Sequence, residues 1–267
     1  MASANVYSID GKPSGSVELP KMFNTEVKPW LISRAVVVEQ SRRMQPQGHF
    51  VLAGMQTTAT YYGAMMSYRS GRHVGRAIRP REKLGGGSQG RVRRIPSATS
   101  GKRAHPHQVE KRIWESMNAR EYHGAFESAI ASTASRSYTS AAISKDRQLP
   151  IVVSDELESI KRTKEALKVF EGLGVSANAA IERSRKGSRR SARQRRSSHS
   201  ILIVVNDDKG IAKAASNIPG VEVSTLASLK VGQLAPGGTP HITAIWSESA
   251  IRNVTEAVKA KKVENSR

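Results

Sequence analysis

Between Met44 and Met117 the sequence has neither helical nor strand periodicity, and glycine and arginine dominate it, with Gly63, Gly71, Gly75, Gly85, Gly86, Gly87, Gly90 and Gly101 along its length. A connection this long without regular structure is uncommon inside a compact domain and marks a functional or a disordered loop. If the 41 residues from Ser67 to His107 run out and back as an extended pair, they reach roughly 65 Å at about 3.3 Å per residue. A body of about 200 residues has a radius of gyration of only about 16 Å. The loop is therefore expected to leave the body.

Charge follows the same division. The chain holds 43 Lys and Arg against 22 Asp and Glu, a net +21, which points to a polyanionic partner. Ser67 to His107 carries eleven cations (Arg69, Arg72, Arg76, Arg79, Arg81, Lys83, Arg91, Arg93, Arg94, Lys102, Arg103) and one acid, Glu82. A second run holds Arg183, Arg185, Lys186, Arg189, Arg190, Arg193, Arg195 and Arg196 with no acid among them. Outside these two stretches the chain is nearly neutral, as an ordinary globular body is. Cysteine is absent, which excludes disulfides, zinc knuckles and thiol catalysis. The start lacks the basic and apolar regions of a signal peptide, and no segment has the apolar length of a membrane span. A cytoplasmic protein is expected, with no membrane partner and no homo-oligomer.

The rest reads as α/β. Two short apolar runs, Asn5 to Ile9 and Val17 to Leu19, flank Asp10-Gly11 and predict a hairpin. Val27, Trp30, Leu31, Ala35 and Val38 have the spacing of a helix over residues 24–43. Asn118 and Glu121 stand at capping-box spacing, followed by an apolar face of Tyr122, Ala125, Phe126, Ala129 and Ile130. Strands are expected at residues 151–153, 201–205, 221–223 and 242–246. Helices are expected at about 155–172, with Leu157, Ile160, Leu167 and Phe170 inward, and at about 208–217 and 247–261. Short continuous β-branched strands alternating with helices imply an open, mostly parallel sheet sandwiched by helices. The domain organisation is then a single α/β body, residues 1–43 and 118–267, and an extended Gly/Arg-rich loop, residues 44–117.

In such sheets ligands sit beyond the carboxyl ends of the strands. Asp155, Asp207, Asp208 and Glu248 follow strands, so a magnesium-dependent RNA nuclease or RNA-modifying enzyme with a basic substrate clamp is one reading. Helix capping is the simpler one. No Gly-rich turn directly follows a strand, and Ser100-Gly-Lys-Arg lacks the upstream Gly and following Ser or Thr of a P-loop, so both nucleotide readings fail. His105 and His107 lack metal-ligand companions at suitable spacing and are read as phosphate or base contacts, or as residues that close the loop. No catalytic residue, metal ligand or cofactor is expected. Glycine allows close backbone approach, while arginine offers planar bidentate donors and stacks on bases, a combination suited to packed RNA.

Ser70-Gly-Arg-His-Val-Gly-Arg76, Gly85-Gly-Gly, Gly90-Arg-Val-Arg-Arg-Ile-Pro96 and Ser100-Gly-Lys-Arg-Ala-His-Pro-His-Gln-Val-Glu-Lys111 resemble the loop of the universal large-subunit ribosomal protein L-four family, in its archaeal and eukaryotic form. Pro150-Ile-Val-Val-Ser-Asp155, Leu234-Ala-Pro-Gly-Gly-Thr-Pro240 and the Ser-Glu-Ser run at 247–249 resemble the same family's body. The resemblance implies an archaeal, non-enzymatic structural constituent of the large ribosomal subunit. Its body would bind 23S-type rRNA, and its loop would reach the polypeptide exit tunnel beside the tunnel protein L-twenty-two and the nascent polypeptide. The loop tip would lie around Ser67 to Gly90, with Arg69, Arg72, His73 and Arg76 closest to the tunnel wall. The rRNA-binding set expected from charge and resemblance together comprises the nineteen cations above with His73, His105 and His107.

Overall fold

A computed structural model of the protein describes residues 3–61, 63, 70, 72–139, 147–175 and 200–264. The chain divides into two compact units, Met1–Arg43 with Trp114–Arg267, and Met44–Ile113.

The first unit opens with an antiparallel pair, β1 (Ser3–Tyr7) and β2 (Pro13–Glu18), in which Ala4 faces Val17. Gly11 turns the chain between them at a φ of +78°, and a Cβ there would lie 2.0 Å from Gly172 O, so only glycine fits. Helix α1 (Pro29–Arg42) follows. In the second unit lie β3 (Arg81–Lys83) and β4 (Gln89–Val92), paired antiparallel. The first unit resumes with α2 (Ala119–Ala134), β5 (Ile151–Val153), α3 (Thr163–Gly172), β6 (Ile201–Val205) and α4 (Ile211–Ala215). It ends with β7 (Val221–Thr225), α5 (Val231–Leu234), β8 (Thr243–Ser247) and α6 (Glu248–Glu264).

Six strands form one sheet in the order β2-β1-β5-β8-β6-β7, and every neighbouring pair except β1 and β2 is parallel. Alternation along the strands divides the core in two. Val6, Val152, Leu202, Val204, Ala244 and Trp246 pack against α1, α2, α5 and α6, where the Phe23 ring meets Trp246 edge-on at 5.5 Å. Tyr7, Ile151, Val153, Ile201, Ile203, Val205 and Ile245 pack against α3 and α4. Both faces are covered, which explains why β5 and β6 read as unbroken apolar runs. The open, mostly parallel sheet sandwiched by helices is the observed architecture.

Several local expectations need correction. Helix α1 starts at Pro29, its first turn, after a separate 3-10 turn at Lys21–Asn24. Its buried face is Leu31, Ile32, Ala35, Val36 and Val38, which leaves Trp30 66% exposed. The Asn118 side chain makes no capping bond to α2; Glu121 instead pairs with Arg34 at 3.6 Å. The helix expected over 155–172 is two pieces, a 3-10 turn at Asp155–Ser159 and then α3. Leu157, Ile160 and Phe170 are buried, but Leu167 lies at the edge of the stripe formed by Ala166, Val169 and Phe170 and is exposed.

Candidate nucleic-acid interface

The carboxyl edge of the parallel sheet is where an enzyme of this architecture would hold its ligand. Here its carboxylates are occupied by the fold. Asp208 Oδ1 accepts the amides of Gly210 at 3.0 Å and Ala212 at 3.2 Å at the start of α4. Asp155 Oδ1 accepts Ser249 N at 2.8 Å in the first turn of α6. Asp207 accepts the Asn206 side-chain amide at 2.8 Å, and Glu248 pairs with Arg252. Capping is the role seen at Asp155 and Asp208, and among the described residues no group of three His, Asp or Glu is arranged to hold a metal ion.

The residue that ties this edge together escaped the sequence reading. Glu158 is 1% exposed. Its Oε1 accepts Asn206 N, Ser247 Oγ and Ser249 Oγ, each at 3.0 Å, while Lys209 Nζ lies 3.1 Å from Oε2. It joins the ends of β6 and β8 to the segment after β5. Burial pushes its carboxyl upward, but the Lys209 ammonium, the Asn206 amide and the two serine hydroxyls together hold it below its ordinary value. In the sequence alone it is one acid among three at 155–158; only the tertiary meeting of three strand ends distinguishes it.

In the second unit, the cations expected to meet RNA fall into two groups. One group holds the unit's own loops. Arg93 pairs with Glu82 and donates to Thr99 O at 3.0 Å, and it is half-buried. Arg79 donates to Ser97 Oγ at 2.9 Å, Arg81 to Ala77 O at 3.2 Å, and Arg94 to Thr57 O at 3.4 Å. Backbone bonds between Thr60 and Arg81, from Arg93 N to Pro80 O, and from Lys102 N to Arg94 O draw the same segments together. The strands β3 and β4 are three and four residues long, too short to leave a period-2 signal, which is why the sequence reads as irregular there.

The second group faces water. Arg72, His73, Arg76, Lys83, Arg91, Lys102, Arg103, His105 and His107 are all exposed. For Arg72, Arg76, Arg91, Lys102 and Arg103, no side-chain bond is formed among the described residues. The sole acid between Ser67 and His107, Glu82, is spent on Arg93, so these cations have no counter-ion in their own stretch. Arg69 and the run Arg183, Arg185, Lys186, Arg189, Arg190, Arg193, Arg195 and Arg196 lie outside the described residues.

Comparison with known proteins points to a single family. The model of the ribosomal protein L4/L1 family matches residues 17–257. The chain is 39% identical over 264 residues to the large ribosomal subunit protein uL4 of Halorubrum lacusprofundi, covering 95% of this chain and 99% of that protein. It is 37% identical to the uL4 of Archaeoglobus fulgidus, over 95% of this chain and 98% of that one. To the uL4 of Methanocaldococcus jannaschii it is 36% identical, again over 95% and 98%.

Proposed function

The chain belongs to the ribosomal protein L4/L1 family, of the archaeal type, and from that premise we propose that it is a structural constituent of the large ribosomal subunit which binds large-subunit rRNA and lines part of the polypeptide exit tunnel. The family is a non-enzymatic one, and the capping duties of Asp155 and Asp208 agree with that. The observation that carries the rRNA reading is the set of exposed cations, Arg72, Arg76, Arg91, Lys102 and Arg103, left without a counter-ion in a stretch whose one acid is already paired.

In this reading the exposed group supplies phosphate contacts. Arg79, Arg81, Arg93 and Arg94 shape the surface that presents them and meet RNA with whatever donors they have left. His73, His105 and His107 add base or phosphate contacts, and Lys83 adds a further cation. The run from Arg183 to Arg196 supplies a second set of phosphate contacts by its charge alone. Arg69, Arg72, His73 and Arg76 would stand nearest the tunnel wall, close to the protein L-twenty-two and the nascent polypeptide. A cytoplasmic location follows from residence in the ribosome.

Sedimentation tests the reading. The full-length protein is expected to travel with the large subunit and to stay there through a moderate salt wash. Recovery of the protein in the supernatant would overturn it.

A further inference from the structure

The second unit carries an apolar surface that its own fold does not use. Phe50, Val51 and Leu52 are 58%, 78% and 47% exposed, three consecutive large apolar side chains in water. They are not on a loose strand. Ala53 N donates to Phe50 O at 3.0 Å and Met55 N to Leu52 O at 2.9 Å, so the chain turns tightly beneath them. Gly48 lies against Val109, since a Cβ at 48 would come within 2.7 Å of Val109 Cγ2. Gly54, at a φ of +73°, lies against the backbone of Gly101 and Lys102, where a Cβ would come within 2.2 Å of Gly101 O. The turn is thus held from both ends, and its second anchor sets it beside Lys102 and Arg103, both exposed.

Contiguous exposed apolar side chains mark an interaction site, and the charge around this one limits what can cover it. No acid occurs between Met44 and Arg81; of the turn's two anchors, the one at Gly101 adjoins the exposed cations Lys102 and Arg103, while the one at Val109 lies next to a single acid, Glu110, itself followed by Lys111 and Arg112. A partner must therefore bring both anionic groups and apolar faces. Unstacked nucleotides do so, since each base presents a π-face and each link a phosphate.

We propose that the Phe50-Val51-Leu52 turn is a docking site for unstacked nucleotides of rRNA, with the Phe50 ring stacking on a base, Val51 and Leu52 covering base or ribose faces, and Lys102 and Arg103 meeting the flanking phosphates. The proposal rests on the reading of the chain as an rRNA binder and adds a site whose contribution is not electrostatic. Phosphate contacts give a salt-dependent affinity that is blind to sequence; a stacking turn gives a salt-independent part that depends on an unpaired base.

The experiment is filter binding of the full-length protein to a large-subunit rRNA transcript over a range of salt. Phe50→Ala is expected to weaken binding about 5- to 150-fold at every salt concentration, the span of one lost base stack, with an unchanged log–log slope. Phe50→Trp is expected to keep the affinity and to be quenched on addition of the RNA. Lys102→Ala is expected to lower the slope by about 0.7 to 0.9. Wild-type affinity in Phe50→Ala overturns the proposal while leaving the rRNA reading intact. If Phe50→Ala binds the transcript normally but is lost from whole large subunits, the occupant is a protein and the proposal is again overturned. Absence of binding by the wild-type protein overturns the rRNA reading itself.

Discussion

Ser41 Oγ accepts a hydrogen bond from Glu115 N at 2.9 Å while donating its own hydrogen to Val38 O at 2.8 Å. One buried hydroxyl thereby fixes the last turn of α1 to the point where the chain re-enters the first unit after residues 44–113. Ser41→Ala removes the acceptor and leaves the Glu115 amide without it in a partly buried place. The expected loss is about 1–3 kcal/mol, read as a lower urea midpoint, with faster proteolysis near Arg43 and Lys111. Ser41→Thr, which keeps the hydroxyl, should recover most of it.

The Ser41 contact also illustrates what the sequence could and could not convey. The parallel sheet is legible because β5 and β6 are short, mostly β-branched runs buried on both faces, and that pattern is local. The cations of the long connection were legible for the same reason. A hydroxyl meeting an amide 74 residues away leaves no local trace. Neither does the division of arginines into Arg93, which pairs with Glu82, and Arg91, which makes no such bond, because a two-residue offset on β4 and its exit decides it. Leu167 and Trp30 are apolar yet exposed, because apolar identity alone does not give direction and the neighbouring Ala166, Val169 and Leu31, Ile32 set the buried stripe.

Glu39 provides a second long-range tie. Its carboxylate accepts Tyr122 Oη at 2.6 Å, Val231 N at 3.0 Å and Gly232 N at 2.9 Å, joining α1 to α2 and to the start of α5. Burial, followed by the bond to Glu39, holds the Tyr122 phenol well above its ordinary value. Because the folded value is raised, the contribution is complete below the ordinary tyrosine value of about 10 and is lost as pH rises beyond it. Urea midpoints are expected to fall more steeply above about pH 10 in the wild type than in Tyr122→Phe. A parallel fall in both proteins would refute the assignment.

Glu158 gives the opposite sign. Its folded carboxyl is held below the ordinary value of 4.5, so its contribution is present above that value and disappears as pH falls through the lowered one. Glu158→Gln keeps an acceptor for the serines but sets an amide against the Lys209 ammonium. We expect a loss of about 1–3 kcal/mol at neutral pH and a shallower acid limb in a denaturation series below pH 4.5. An acid limb unchanged by the substitution would place the titrating group elsewhere.

Arg91 and Arg93 differ by two positions and should differ in kind. Arg91 is exposed on β4 with no side-chain bond among the described residues, whereas Arg93 spends its guanidinium on Glu82 and Thr99 O. If half of the eighteen net positive charges in the two basic stretches neutralise phosphates, binding to rRNA follows salt with a log–log slope of about −6 to −8. Arg91→Ala should reduce the magnitude of that slope by about 0.7 to 0.9, and its effect on the stability of the free protein should be small. Arg93→Ala should leave the slope nearly unchanged, because its charge is already neutralised within the chain. It should instead unfasten the β3 and β4 hairpin from the 97–102 segment, visible as faster amide exchange at Arg81 and Lys102, the two amides that bond to neighbouring segments at Thr60 and Arg94. Glu82→Gln separates the two roles further, since freeing Arg93 from its partner should steepen the slope where Arg91→Ala flattens it. Equal effects of Arg91→Ala and Arg93→Ala on the slope would mean that the Glu82 pair opens on RNA and that all the arginines of this unit serve as phosphate contacts.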